Sequence, residues 1–227
     1  MKTICKTEGE TTSFIISDLE PVYHDAVYSL YYSPIEEGFA KSYPSDTPNL
    51  NRIYQNFEQY AEEMILQTAE VHSVPWDKSL LAFLQIIENK AINWWLAGSS
   101  ALAVRGIDII PHDLDLIVDK ASAIKLGELL LDYLIEPVLP SHGWIANWFG
   151  RAFLYARLEW VGDVNDSVDL TNVTDFGPVA GSRLEVINWH DKKIQVPPLE
   201  LQLKVTERRG LTERVKKIRR FMNGKNE

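Results

Sequence analysis

The stretch from Trp94 to Asp119, WWLAGSSALAVRGIDIIPHDLDLIVD, constrains the fold more than any other part of the sequence. An apolar run, Trp94-Trp95-Leu96-Ala97, breaks at Gly98-Ser99, resumes as a helix-like segment from Ser100 to Arg105, and stops at Gly106, where a left-handed cap suits glycine. A second apolar run then carries Asp113-Leu114-Asp115-Leu116. Residues two apart on an extended strand share a face, so Asp113 and Asp115 would stand side by side while Leu114 and Leu116 enter the core. Two oxygen-rich carboxylates in that arrangement outline a site for a hard divalent cation such as Mg2+.

Apolar strand, Gly-Ser, short helix and Asp-apolar-Asp-apolar, in that order, resemble the nucleotidyltransferase superfamily, the fold shared by antibiotic adenylyltransferases and polymerase beta-type enzymes. The match is tight over Trp94–Asp119 and loose as far as Leu203, and the N-terminal part of the chain shows nothing of it. The residues suit nucleotidyl transfer. Gly98 has no side chain to obstruct a phosphate, and Ser99 would sit at a helix N-terminus, where free N–H groups favour anions. In-line phosphoryl chemistry needs mainly positioning and charge neutralisation, and a pair of Mg2+ or Mn2+ ions would supply both.

The resemblance also implies a third acidic ligand on a strand beside the Asp-x-Asp strand. Glu159 is the candidate, because a carboxylate within the apolar run Phe153–Val161 would be costly without a partner. A same-face pair with Arg157 is the alternative reading of Glu159, and Asp169 is the rival ligand. Asp113 and Asp115 would then hold the metal on the triphosphate; Asp115 and Glu159 would hold the one on the attacking oxygen, with Glu159 as a candidate general base. Gly98 and Ser99 would cradle the terminal phosphates, and Arg105 or Lys204 would add positive charge there.

Composition sets the outer limits. At 227 residues, with 45% hydrophobic and 24% charged residues, the chain is long enough for one large domain with a sizeable core. A net charge of -9 argues against duplex binding over the whole surface while leaving a local basic patch open. The single Cys5 excludes an internal disulfide framework and a cysteine zinc site. No apolar run approaches the length of a membrane span, and MKTICKTEGE lacks a signal-peptide core, so a cytoplasmic protein is expected.

Along the chain, residues 1–48 read as a small β-rich extension with strands at Ser13–Ser17, Val27–Tyr32 and Phe39–Tyr43. Residues 49–227 read as the α/β (α+β) domain, a mixed β-sheet flanked by helices. Apolar positions recur at helical spacing over Leu50–Glu70, Lys78–Asn89 and Ala121–Leu134. Trp144–Trp148 and Phe153–Val161, joined around Gly150, suggest a hairpin, and Arg183–Trp189 with Lys193–Val196 suggest a second. Thr171–Gly181 reads as a loop near the site, and His112 and His190 as strand-edge and turn residues. After Pro197-Pro198 a C-terminal helix, broken near Gly210, concentrates basic residues from Lys204 to Arg220.

The expectation is a metal-dependent nucleotidyltransferase that moves a nucleoside monophosphate from an NTP to a hydroxyl of a small molecule, protein or tRNA. The alternative is an inactive binding module of the same fold: a nucleotide sensor, an antitoxin-like partner, or an RNA binder using the basic C-terminal helix.

Overall fold

The computed structural model describes residues 1–141 and 144–224. The N-terminal part contains β1 (Lys2–Glu8), β2 (Thr11–Ser17), α1 (His24–Ser29), β3 (Ser33–Ile35) and β4 (Gly38–Pro44), with the strands in an antiparallel sheet of order β1-β2-β4-β3. The strand expected at Val27–Tyr32 is therefore the end of a helix, as far as Ser29, followed by a turn. Pro21 opens a single 3-10 turn that runs directly into α1, and Val27 and Leu30, three apart, are both fully buried on one helical face.

Two helices follow, α2 (Leu50–Thr68) and α3 (Trp76–Ile86), and then the Gly-Ser and Asp-x-Asp stretch: β5 (Trp94–Leu96), α4 (Gly98–Ala103) and β6 (Leu114–Val118). Beyond it lie α5 (Lys120–Leu129), β7 (Leu134–Pro140), β8 (Ala146–Leu154) and β9 (Ala156–Val164). The main sheet has five strands in the order β5-β6-β9-β8-β7, with β6 and β9 parallel and the other pairs antiparallel. The chain continues through α6 (Pro178–Gly181), the hairpin β10 (Glu185–Trp189) and β11 (Lys192–Val196), and finishes in α7 (Leu199–Arg208) and α8 (Thr212–Gly224). The hairpin turns at His190-Asp191, both left-handed, and the final helix breaks at Gly210, also left-handed.

Two expected boundaries move. The β8–β9 hairpin turns at Tyr155 rather than at Gly150. Gly150 lies in mid-strand opposite Trp160, whose fully buried ring occupies the space where a Cβ would stand. The α5 helix ends at Leu129 and Leu134–Pro140 is a strand, because β7 lies at the edge of the sheet, where Pro137 forfeits no ladder bond that the strand needs. Asp119 caps α5, its Oδ1 accepting from the Ser122 amide at 2.7 Å.

One hydrophobic core spans both sheets. Phe57 on α2 stacks on Phe14 of β2 (centroids 5.4 Å apart) and on Tyr32 (6.1 Å), while Met64 and Ile65 continue the same helix face into the cluster that holds Leu116, Val118 and Trp160. The extension and the main sheet are thus packed against a shared helix. A smaller cluster joins Leu102 and Ile107 to Leu199 and Ile218, fixing α7 and α8 beside α4.

Candidate active site

The break between β5 and α4 sets the geometry. Gly98 has φ +60°, a left-handed conformation that glycine adopts freely. A Cβ built on it would fall on Asp115 Oδ2 and lie 3.2 Å from Asp115 Cγ, so the turn and the carboxyl are in direct apposition. The Ala97 amide donates to the Asp115 carbonyl at 2.8 Å, and Gln202 Nε2 on α7 donates to the Gly98 carbonyl at 3.1 Å. Ser99 is buried behind the turn.

Asp115 and Glu159 are register partners across the parallel β6–β9 pair. Asp113 directly precedes β6. The two aspartates and Glu159 therefore come together, Arg157 bridging Asp113 and Glu159, and Asp115 and Glu159 line a cavity of about 470 Å3. Gly98, Asp115 and Glu159 line it from the sheet, Asp175, Val205 and Arg209 from the C-terminal half, and Tyr31, Trp144 and Phe149 from the other side.

The three carboxyls are not equivalent. Glu159 Oε1 accepts from Arg151 Nε at 2.8 Å and lies 3.0 Å from Arg157 Nε, and Asp113 is ion-paired to Arg157 Nη2. The Asp115 carboxyl has no hydrogen bond or ion pair among the described residues. Burial pushes its carboxyl well above the usual range, and the charges of Asp113 and Glu159 push it further. Burial also disfavours ionised Glu159, but Arg151 and Arg157 outweigh it and hold that carboxyl low.

Behind Glu159 runs a ladder of charge in cross-strand register. Glu136 on β7 faces Arg151 on β8, Arg151 faces Glu159 on β9, and Glu159 faces Asp115 on β6. Arg151 is fully buried. It ion-pairs with Glu136 and donates from Nη1 to the Leu30 carbonyl at 3.1 Å. Lys41 of β4 closes the row, with Nζ 2.6 Å from Glu136 Oε2. A buried charge is tolerable when paired, and each member from Lys41 to Glu159 has a partner of opposite sign; Asp115, at the end of the row, has none among the described residues.

Other sequence candidates sit elsewhere. Arg105 is buried, bound to Glu185 (2.6 Å) and donating to the Pro197 carbonyl (2.7 Å); it ties α4 to the β10–β11 hairpin and the start of α7 and does not line the cavity. Lys204 is exposed on α7 and also does not line it. Asp169 organises the following loop, accepting from Thr174 N, Thr174 Oγ1 and Val179 N at 2.7–2.9 Å. His112 is exposed, 3.7 Å from Glu70. Of the C-terminal basic residues, Lys217 binds Asp108, Arg219 binds Glu207, Lys216 binds Glu213 and Arg208 donates to the Val173 carbonyl.

Sequence reasoning missed Arg209, Arg214 and Asp175. Arg209 lines the cavity, and the half-buried Arg214 is within electrostatic reach of Asp113, Asp115 and Asp175. Burial and the neighbouring Arg209 charge hold the Arg214 guanidinium below its usual value, and burial pushes the Asp175 carboxyl up. All three lie in a segment whose polar and basic character is that of an ordinary loop and helix surface, so only the tertiary contacts reveal them.

Hard carboxylate oxygens on Asp113 and Asp115, one of them without a partner, have the donor chemistry of a Mg2+ site. Glu159 is committed to two guanidiniums, and among the described residues no group of three acidic, His or Cys side chains is placed to hold a metal. Among the described residues no helix is long and apolar enough to cross a membrane.

No protein-family model matches the chain, and no curated protein does. Three solved structures similar to it are described as nucleotidyltransferases or nucleotidyltransferase-like. One, from Thermotoga maritima, is 20% identical, with 67% of this chain and 98% of that chain covered at a TM-score of 0.48. The lincosamide antibiotic adenylyltransferase LnuA, solved with lincomycin bound, is 18% identical, with coverage of 65% and 98% and a TM-score of 0.45. An antigenic nucleotidyltransferase-like protein from Paracoccidioides brasiliensis is 17% identical, with coverage of 57% and 62% and a TM-score of 0.34.

Proposed function

We propose that the chain is a nucleotidyltransferase that moves a nucleoside monophosphate from an NTP to a hydroxyl acceptor. The observation that carries this reading is the apposition of the left-handed Gly98 turn to Asp115 in one cavity with its register partner Glu159, and with Asp113 close by. Gly98 leaves backbone open for a phosphate at the place where the carboxyls gather. Arg209 and Arg214 supply positive charge from the C-terminal side, the role the sequence had suggested for Arg105 or Lys204.

Asp113 and Asp115 would hold the divalent ion, Mg2+ or Mn2+, whose chemistry is to neutralise and orient the phosphates. In the transfer the acceptor oxygen bonds to the α-phosphorus, the bond from that phosphorus to the bridging oxygen of the β-phosphate breaks, pyrophosphate leaves, and the hydroxyl proton passes to solvent. Glu159, held low by two arginines, is a poor base near neutral pH and is better suited to fixing Arg157 and the edge of the site.

A second reading, a nucleotide-binding module without transfer, is favoured by one observation: Arg157 and Arg151 already occupy Asp113 and Glu159. Incubation with each α-labelled NTP, Mg2+ and candidate acceptors separates the two. Pyrophosphate release that is lost in Asp115→Asn supports transfer. Nucleotide binding without release under any condition supports the module, and full activity of Asp115→Asn would refute the site.

A further inference from the structure

We infer that Arg157 is a built-in counter-cation that competes with the divalent ion for Asp113, so that the free protein takes up metal weakly and loads it together with the nucleotide. The inference rests on the reading of the site as a nucleotidyl-transfer centre.

The two arginines beside Glu159 are held in different ways. Arg151 has three anchors, Glu136, Glu159 and the Leu30 carbonyl, and its side chain is fully enclosed. Among the described residues, the anchors of Arg157 are carboxyls of the site alone. It is ion-paired to Asp113 through Nη2, and its Nε, 3.0 Å from Glu159 Oε1, makes no hydrogen bond although it is buried. A buried N–H without a hydrogen bond is costly, so this arrangement is less than optimal for the guanidinium even while it neutralises the carboxyls.

The strand explains why the residue stands there. Arg157 and Glu159 are two apart on β9 and share a face, and β9 runs parallel to β6, which Asp113 directly precedes. The guanidinium thus occupies Asp113 Oδ2, one of the oxygens that a cation at the aspartate pair would use. A guanidinium cannot lose its proton near neutral pH, so it leaves only by exchange for another cation. A triphosphate arriving with its ion brings both halves of that exchange: a dication for Asp113, and phosphate oxygens able to receive the released guanidinium as a charge-assisted partner.

The test is a Mn2+ titration of the full chain followed by the electron paramagnetic resonance signal of free Mn2+, first without nucleotide and then with a non-hydrolysable ATP analogue. Wild type is expected to bind Mn2+ weakly alone and tightly with the analogue. Arg157→Gln is expected to bind Mn2+ alone about 10-fold more tightly than wild type, or better, and to lose that gain when Asp115→Asn is added. Arg157→Lys, which keeps a charge but not the fork, should fall between and serves if Arg157→Gln does not fold.

Equal Mn2+ affinity in wild type and in the folded variants overturns the inference and leaves the proposed function standing. No Mn2+ binding by any protein, even with the analogue, overturns the metal-dependent reading and the inference with it.

Discussion

Replacing Gly98 by alanine should damage the site in a way that a matched control can isolate. Two costs arise. The first is conformational: φ is +60°, and a non-glycine residue in the left-handed region costs about 1–2 kcal/mol. The second is steric, because the new methyl would fall on Asp115 Oδ2, which must retreat by roughly 1 Å to restore van der Waals distance. Asp115 cannot retreat freely, since Glu159 stands opposite it in register and is itself fixed by Arg151. Overpacking of this kind adds about 1–3 kcal/mol.

Gly210→Ala provides the control. Its φ is +67° and nothing lies within 4 Å of a Cβ there, so it bears the conformational cost alone. At this chain length each kcal/mol lowers Tm by about 2–4 °C, so Gly98→Ala should melt roughly 2–12 °C below Gly210→Ala. Displacing Asp115 by about 1 Å should also cost about 100-fold in transfer rate, while Gly210→Ala keeps its activity. Thermal unfolding by circular dichroism and pyrophosphate release measure the two effects. Equal Tm losses together with retained activity in Gly98→Ala would refute the claim that the turn positions the carboxyl.

Asp115 makes a pH-dependent prediction. Its folded pKa is raised by burial and by Asp113 and Glu159, so its contribution to stability is complete below the unfolded value, about 3.9, and is lost as pH rises through the folded value. Asp115→Asn should therefore gain progressively on wild type as pH rises from about 3.9 to the folded value in metal-free buffer, and hold a constant advantage above it; a pH-independent difference in Tm across that window would contradict the assignment. Lys41→Met strands one oxygen of buried Glu136 and should cost about 1–3 kcal/mol by urea denaturation, whereas the double variant Lys41→Met/Glu136→Gln should recover part of it; no loss in the single variant would mean the pair is idle. Arg209→Ala should weaken NTP binding by roughly 10-fold or more in calorimetry, while Arg105→Met should lower Tm with NTP affinity unchanged; the reverse pattern would restore Arg105 to the phosphates.

The motif between Trp94 and Asp119 was legible because its information is local: apolar runs mark β5 and β6, glycine marks the turn, and the Asp-x-Asp spacing sets Asp113 just ahead of β6 and Asp115 within it. The surroundings of Glu159 were not. Arg157 could be seen two residues away, but Arg151 meets Glu159 only because the hairpin turns at Tyr155, and a turn at Gly150 destroys that register. Gly150 looked like a turn because the Trp160 ring that demands a glycine there comes from the partner strand. Glu136 lies just past the helix expected at Ala121–Leu134, where no strand is expected, so its partnership with Lys41 and Arg151 lay beyond any local rule. Arg209 and Arg214 come near the carboxyls through the packing of α7 and α8 on α4, a long-range event set by Leu102, Ile107, Leu199 and Ile218, and Asp175 through the fold of the loop ahead of α6.

The cross-strand ladder bears on how divisible this chain is. Lys41 and the Leu30 carbonyl come from the N-terminal sheet, yet they satisfy Glu136 and Arg151, which in turn fix the carboxyl next to Asp115. Cutting the chain after residue 48 would leave a cationic vacancy at one end of the row and bare Phe57 on α2 at the same time. A minimal catalytic fragment, or a graft of this sheet onto another scaffold, would have to bring the first two strand hairpins along or replace the ladder by apolar side chains from Glu136 inward. What reads as an appendage in the sequence is the far abutment of the site.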